Sequence, residues 1–172
     1  LTPASVVWDW GEGASAVYFA QCAGTYHTVI SDPRHCADIE EIKPKNLEVH
    51  CVEWRAGGEM HRDYLRAASA LAPALADVVI AGGSERGSCA AAAARHLKEG
   101  GVAFLAGWDH QTANEQATAR DAYAVGVLFP AEGGGEDSLV RLEPRAGGRR
   151  AADASEDEDE GRDEVRSKKG RE

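Results

Sequence analysis

Between residues 1 and 145 short apolar runs alternate with stretches of helix-forming residues, a rhythm that restricts the chain to strands joined by helical crossovers in a mostly parallel sheet. Val6-Val7-Trp8 reads as a buried strand, followed by a glycine turn and a helix from about Ala14 to Ala23. His27–Ile30 is a second strand, and Leu47–Val52 alternates apolar with polar side chains, as a third strand near a sheet edge does. Tyr64–Ala72 predicts a helix packing through Leu65, Ala68 and Leu71, ended or restarted by Pro73. Asp77–Ala81 is a short continuous β-branched run bounded by polar and glycine residues, which suits a central strand covered on both faces. Ser88–Lys98 predicts a helix stopped at Gly100-Gly101, with Val102–Ala106 as the fifth strand. Tyr123–Phe129 and Ser138–Leu142 flank Gly133–Gly135 and read as a closing antiparallel hairpin.

The 172 residues suit one domain over 1–145 and a tail over 146–172. That tail carries Ser155-Glu-Asp-Glu-Asp-Glu160 and too little apolar surface to offset the entropy of ordering, so it reads as disordered and acidic, suited to basic partners if to any. A net charge of −10 disfavours nonspecific attraction to nucleic-acid phosphates. No apolar run approaches the roughly 20 residues of a membrane helix, and the start at Leu1 shows no signal peptide and reads as a processed product or fragment. An intracellular, soluble protein is expected.

Cys22, Cys36, Cys51 and Cys89 form no C-x-x-C pair, which predicts buried free thiols and a reducing compartment. His50 and Cys51 are adjacent on a strand and point to opposite faces, so they cannot chelate one ion together; no metal is assigned. Neither a G-x-S-x-G elbow nor a P-loop lysine is present.

The first strand runs into Asp9-Trp-Gly11-Glu-Gly13-Ala-Ser15-Ala16. Glycines at a strand-to-helix turn let a nucleotide-like ligand approach the backbone. Gly11, Gly13 and Ala16 satisfy the dinucleotide fingerprint, with Asp32 about 20 residues downstream for a ribose hydroxyl, so a nicotinamide-cofactor protein is one reading. The D-x-G-x-G order resembles instead the glycine motif of the class I S-adenosylmethionine methyltransferases. Ala76–Cys89, followed by Leu97-Lys-Glu-Gly-Gly-Val102 and the hairpin, resembles the same family over residues 1–145.

The resemblance implies a Rossmann-like three-layer α/β/α sandwich with a seven-stranded, mostly parallel sheet. It also implies S-adenosylmethionine held by Asp9, Gly11, Gly13, Ser15, Asp32 and Gly82, and a small-molecule or protein acceptor of unidentified nature. Methyl transfer needs an aligned nucleophile and often a base, for which Asp109 and His110 are the candidates, with His61 behind them. Trp54 and Trp108 could stack on adenine or a substrate ring, although core packing suits both. Three positions depart from the family. Ile30 stands where it has its ribose-binding acid, Ala81 replaces the acid ending the fourth strand, and Gly107 the one after the fifth. These departures motivate another reading, a catalytically silent relative kept as an interaction or structural module.

Overall fold

The computed structural model describes residues 1–54, 59–67, 75–129 and 138–145, with the backbone alone for 59–61. Seven strands form one sheet: β1 (Val6–Trp10), β2 (Thr25–Ile30), β3 (Leu47–Cys51), β4 (Ala76–Ala81), β5 (Leu97–Ala106), β6 (Tyr123–Phe129) and β7 (Leu139–Pro144). Their order is β3-β2-β1-β4-β5-β7-β6; the first five are parallel, and β7 lies antiparallel between β5 and β6. The expected Rossmann-like sheet is therefore present, with Leu47–Cys51 at its edge and Ala76–Ala81 near its centre.

Alternation along the strands divides the apolar residues between two cores. Val7, Tyr26, Ile30 and Leu47 pack with Ala16 of α1 (Ala14–Phe19) and with Cys36 and Ile39 of α2 (Pro33–Ile42). Trp8, Trp10, Val29, Val79 and Leu105 face the other way. They meet Tyr64 of α3 (Glu59–Arg66), Ala90 and Ala93 of α4 (Arg86–Ala93), and Ala119 of α5 (Ala113–Ala122). Trp10 is wholly buried and its indole N–H donates to the Tyr64 carbonyl at 2.9 Å, so a large apolar side chain pins α3 without leaving its polar atom unpaired.

Two helices escape the apolar-run reading because their signals lie in caps. Asp32 N-caps α2, accepting from the Arg34 amide at 2.8 Å, and Pro33 takes the first helical position, where its missing N–H costs nothing. Thr112 and Glu115 form a reciprocal capping box at the start of α5.

The Ala-rich helix also ends earlier than expected. It stops at Ala93, a 3₁₀ turn covers Ala94–His96, and Leu97 already pairs with Ala76. Leu97–Gly101 is thus an irregular strand start rather than a helix stop. Positions Ala68, Leu71, Pro73, the Gly133–Gly135 turn and the acidic tail lie outside the described residues.

Helices α4 and α5 touch backbone to backbone at Gly87, where a β-carbon would collide with the carbonyl of Glu115. A Gly87→Ala substitution therefore separates the two helices. It is expected to cost about 1–3 kcal/mol by urea denaturation, the usual range for overpacking.

The expectation of four free thiols is corrected: Cys36, in the first turn of α2, is disulfide-bonded to Cys51, at the end of β3, with their Cα atoms 5.9 Å apart. Cys51 faces α2 because the adjacent His50 faces the other side of the sheet. Buried Cys89 and exposed Cys22 are the free pair. No helix among the described residues is long and apolar enough to cross a membrane.

Candidate functional site

The strand order reverses between β1 and β4, and in open α/β sheets ligands bind in the crevice outside the carboxyl ends at such a point. Two glycine turns flank it, Gly11-Glu12-Gly13 after β1 and Gly82-Gly83 after β4. The structure thus brings Asp9, Gly11, Gly13 and Gly82 to one place. The turns are fastened together, because the amides of Gly82 and Gly83 both donate to the Trp10 carbonyl, at 2.8 and 2.6 Å.

Gly13 has φ of +87°, and a β-carbon there would lie 2.7 Å from both Ile30 Cδ1 and Ile39 Cγ1. The turn can close down on the α2 core only because this residue has no side chain. At Gly82, by contrast, the nearest neighbour of a β-carbon would be the Trp10 carbonyl at 3.8 Å, which leaves space beside the turn.

Asp9 lies beneath the glycine turn. It is buried, the Tyr26 hydroxyl donates to its Oδ2 at 3.1 Å, and its Oδ1 would be 2.9 Å from a β-carbon on Gly11. Burial pushes its carboxyl up to about 7, against a smaller lowering by the Tyr26 hydrogen bond. Burial and then the Asp9 charge push the Tyr26 hydroxyl upward in turn.

Asp32 lies past the end of β2 and is engaged by its own helix. Arg34 donates to it from its backbone N–H, from Nε at 3.3 Å and from Nη2 at 2.9 Å. These bonds, side chain first, hold the carboxyl at about 2. Ile30, at the position of the family's acid, is buried against Gly13. Ser15 is exposed on α1.

Asp109 and His110 sit in a 3₁₀ turn after β5, both exposed. The Asp109 amide donates to Ser138 Oγ at 3.2 Å, and the His110 amide to the Gly107 carbonyl at 3.1 Å. They stand one strand away from the glycine turns. Trp108 is 6% exposed with the Arg120 guanidinium 5.2 Å from its ring centroid, and Trp54 is half-buried against the α3–α5 core, so both are packing residues. The His61 side chain lies outside the described residues.

One site residue had no assigned role in the sequence. Arg86 donates from Nε to the Gly83 carbonyl and from Nη1 to the Ala106 carbonyl, each at 3.0 Å, and ties the ends of β4 and β5 together. Its guanidinium fills the space into which a β-carbon on Gly107 would point. An arginine just after the fourth strand was the available signal, but its partners are main-chain carbonyls that no motif encodes.

No family model and no curated protein sequence matches the chain. Solved structures do. A putative methyltransferase from Streptococcus mutans, in complex with S-adenosylhomocysteine, has a TM-score of 0.59 at 13% identity, over 84% of this chain and 91% of that one. An rRNA methylase from Streptococcus thermophilus gives 0.58 at 14% identity, over 85% and 90%. The N-methyltransferase NodS from Bradyrhizobium japonicum gives 0.52 at 13% identity, over 83% and 86%. The chain has the class I methyltransferase fold. In this chain β7 lies antiparallel between β5 and β6, whereas the dinucleotide-binding sheet runs 3-2-1-4-5-6, so the sheet order differs from that of the nicotinamide-cofactor fold.

Proposed function

We propose that this chain is a methyltransferase-like domain that binds S-adenosylmethionine or its demethylated product outside the carboxyl ends of β1, β2 and β4. The observation carrying the reading is the pair of glycine turns flanking the sheet's reversal point, with space beside Gly82. The residues fit a nucleoside ligand. Gly82 permits close backbone approach, Ser15 offers an exposed hydroxyl, and Asp32, with three acceptor positions used by Arg34, keeps one for a ribose hydroxyl. Asp9 acts from below, by shaping the turn through Gly11.

When bound, S-adenosylmethionine supplies an electrophilic methyl group. Among the described residues, exposed Asp109 and His110 are groups able to take a proton from an acceptor near the end of β5. A second reading, the silent module, is favoured by Arg86, which fills the Gly107 position, and by Ala81 at the end of β4.

Calorimetry with S-adenosylmethionine and S-adenosylhomocysteine is expected to show saturable binding. Asp32→Asn keeps the helix cap but loses the charged acceptor, so binding should weaken roughly tenfold, the worth of a hydrogen bond to a charged group. Absence of binding at millimolar ligand overturns the proposal. Binding without transfer of a labelled methyl group to any component of a cell extract selects the silent module.

A further inference from the structure

A second constellation lies within the sheet, away from the glycine turns. His27 of β2 is the in-register partner of Glu48 of β3, and His50, two residues further along β3, projects from the same face. His27 Nδ1 is 3.3 Å from His50 Nε2 and 3.2 Å from Glu48 Oε2, and all three ligand atoms lie within 4.8 Å of one another. Two ligands about 2.0–2.1 Å from a tetrahedral zinc ion are roughly 3.3 Å apart, so His27 Nδ1 already stands at coordination spacing from each of the other two atoms.

Proton bookkeeping points the same way. His27 Nδ1 faces a carboxylate oxygen and an imidazole nitrogen at once, yet a neutral ring has at most one proton there to share between them. A cation at their common centre would accept one lone pair from each of the three ligand atoms.

The rings are also held in place. Trp8 stacks on His27 with centroids 4.4 Å apart and planes 9° from parallel, and lies 5.5 Å from His50. The His27 side chain is 10% exposed and that of Glu48 56%, which gives the cluster a buried wall and a solvent-facing mouth at the sheet edge. Ligands on paired strands keep their mutual geometry better than ligands on loops.

We infer that His27, Glu48 and His50 form a binding site for a first-row divalent metal ion of the zinc type, with a fourth position open to solvent. The chemistry fits such an ion, because two imidazoles and one carboxylate suit zinc and its neighbours in the row, whereas calcium and magnesium want oxygen ligands alone. Sequence adjacency concealed the site. Glu48 and His50 lie two apart on β3 and share a face, but His27 joins them only through the register between β2 and β3.

The test uses the full chain with its disulfide formed, titrated with Zn²⁺ by calorimetry and with Co²⁺ by visible absorption and tryptophan fluorescence. Wild type is expected to take up one ion per chain, with quenching from Trp8. His50→Ala and Glu48→Gln should each weaken that uptake at least about tenfold, given that even outer-shell partners are worth 10–100-fold. Glu48 is exposed, so its variant decides the matter if His50→Ala unfolds. Wild type binding no ion at about 0.1 mM metal, or Glu48→Gln binding as wild type does, overturns the inference.

Discussion

Replacing Asp9 by Asn is expected to remove a fall in stability that the wild-type chain shows between about pH 4 and pH 7. An ordinary carboxyl ionises near 3.8, while buried Asp9 holds its proton to about 7. Across that interval the unfolded chain has released a proton that the folded chain still carries, so raising the pH favours unfolding. The penalty grows from the lower value and levels off above the upper one, reaching roughly 4 kcal/mol. His27, His50 and His96 titrate with the opposite sign, since burial holds each below the usual 6.5 and their contribution is lost as the pH falls. They are common to both proteins, so the difference between the two urea-denaturation profiles isolates Asp9. An Asn side chain can still accept from Tyr26, which preserves the local hydrogen bond. Parallel profiles across that interval would show that Asp9 is ionised within the fold.

Reducing the Cys36–Cys51 bond should lower stability by roughly 3 kcal/mol, because it reopens a loop with a sequence separation of 15. For a domain of this size that corresponds to a thermal midpoint about 6–12 °C lower. The bond fastens α2 to the edge strand β3, which among the described residues has a hydrogen-bonded neighbour on one side only, so the loss concentrates at that edge. Cys51→Ser should match the reduced wild type and be indifferent to reductant, since Cys22 and Cys89 are not bonded. Equal midpoints of wild type with and without reductant would contradict the cross-link's role. A secondary consequence reaches the candidate cofactor site, because Asp32 and Cys36 share the first turns of α2.

The strands were legible because a parallel sheet covered on both faces demands short apolar runs, and Val78-Val79-Ile80 or Val102–Ala106 have few other uses. Helices α2 and α5 were not, since Asp32-Pro33 and Thr112…Glu115 are cap signals attached to polar segments with little apolar periodicity. Within the candidate site the glycine turn could be read from Asp9-x-Gly11-x-Gly13. The reason for Gly13 could not, because it depends on Ile30 and Ile39 arriving beneath it from two other elements.

Cys36 and Cys51 show the same limit, as does Arg86. Their partners are set by the approach of α2 to β3 and by the carbonyls that end β4 and β5. The sequence by itself determined the layered α/β architecture, because hydrophobic periodicity and turn chemistry act over a few neighbouring residues. Only the tertiary structure decided the antiparallel insertion of β7, the disulfide, the Arg86 bridge and the meeting of His27, Glu48 and His50. Each of these depends on strand register and side-chain direction across segments distant in the chain, and such geometry exists only once the sheet has formed.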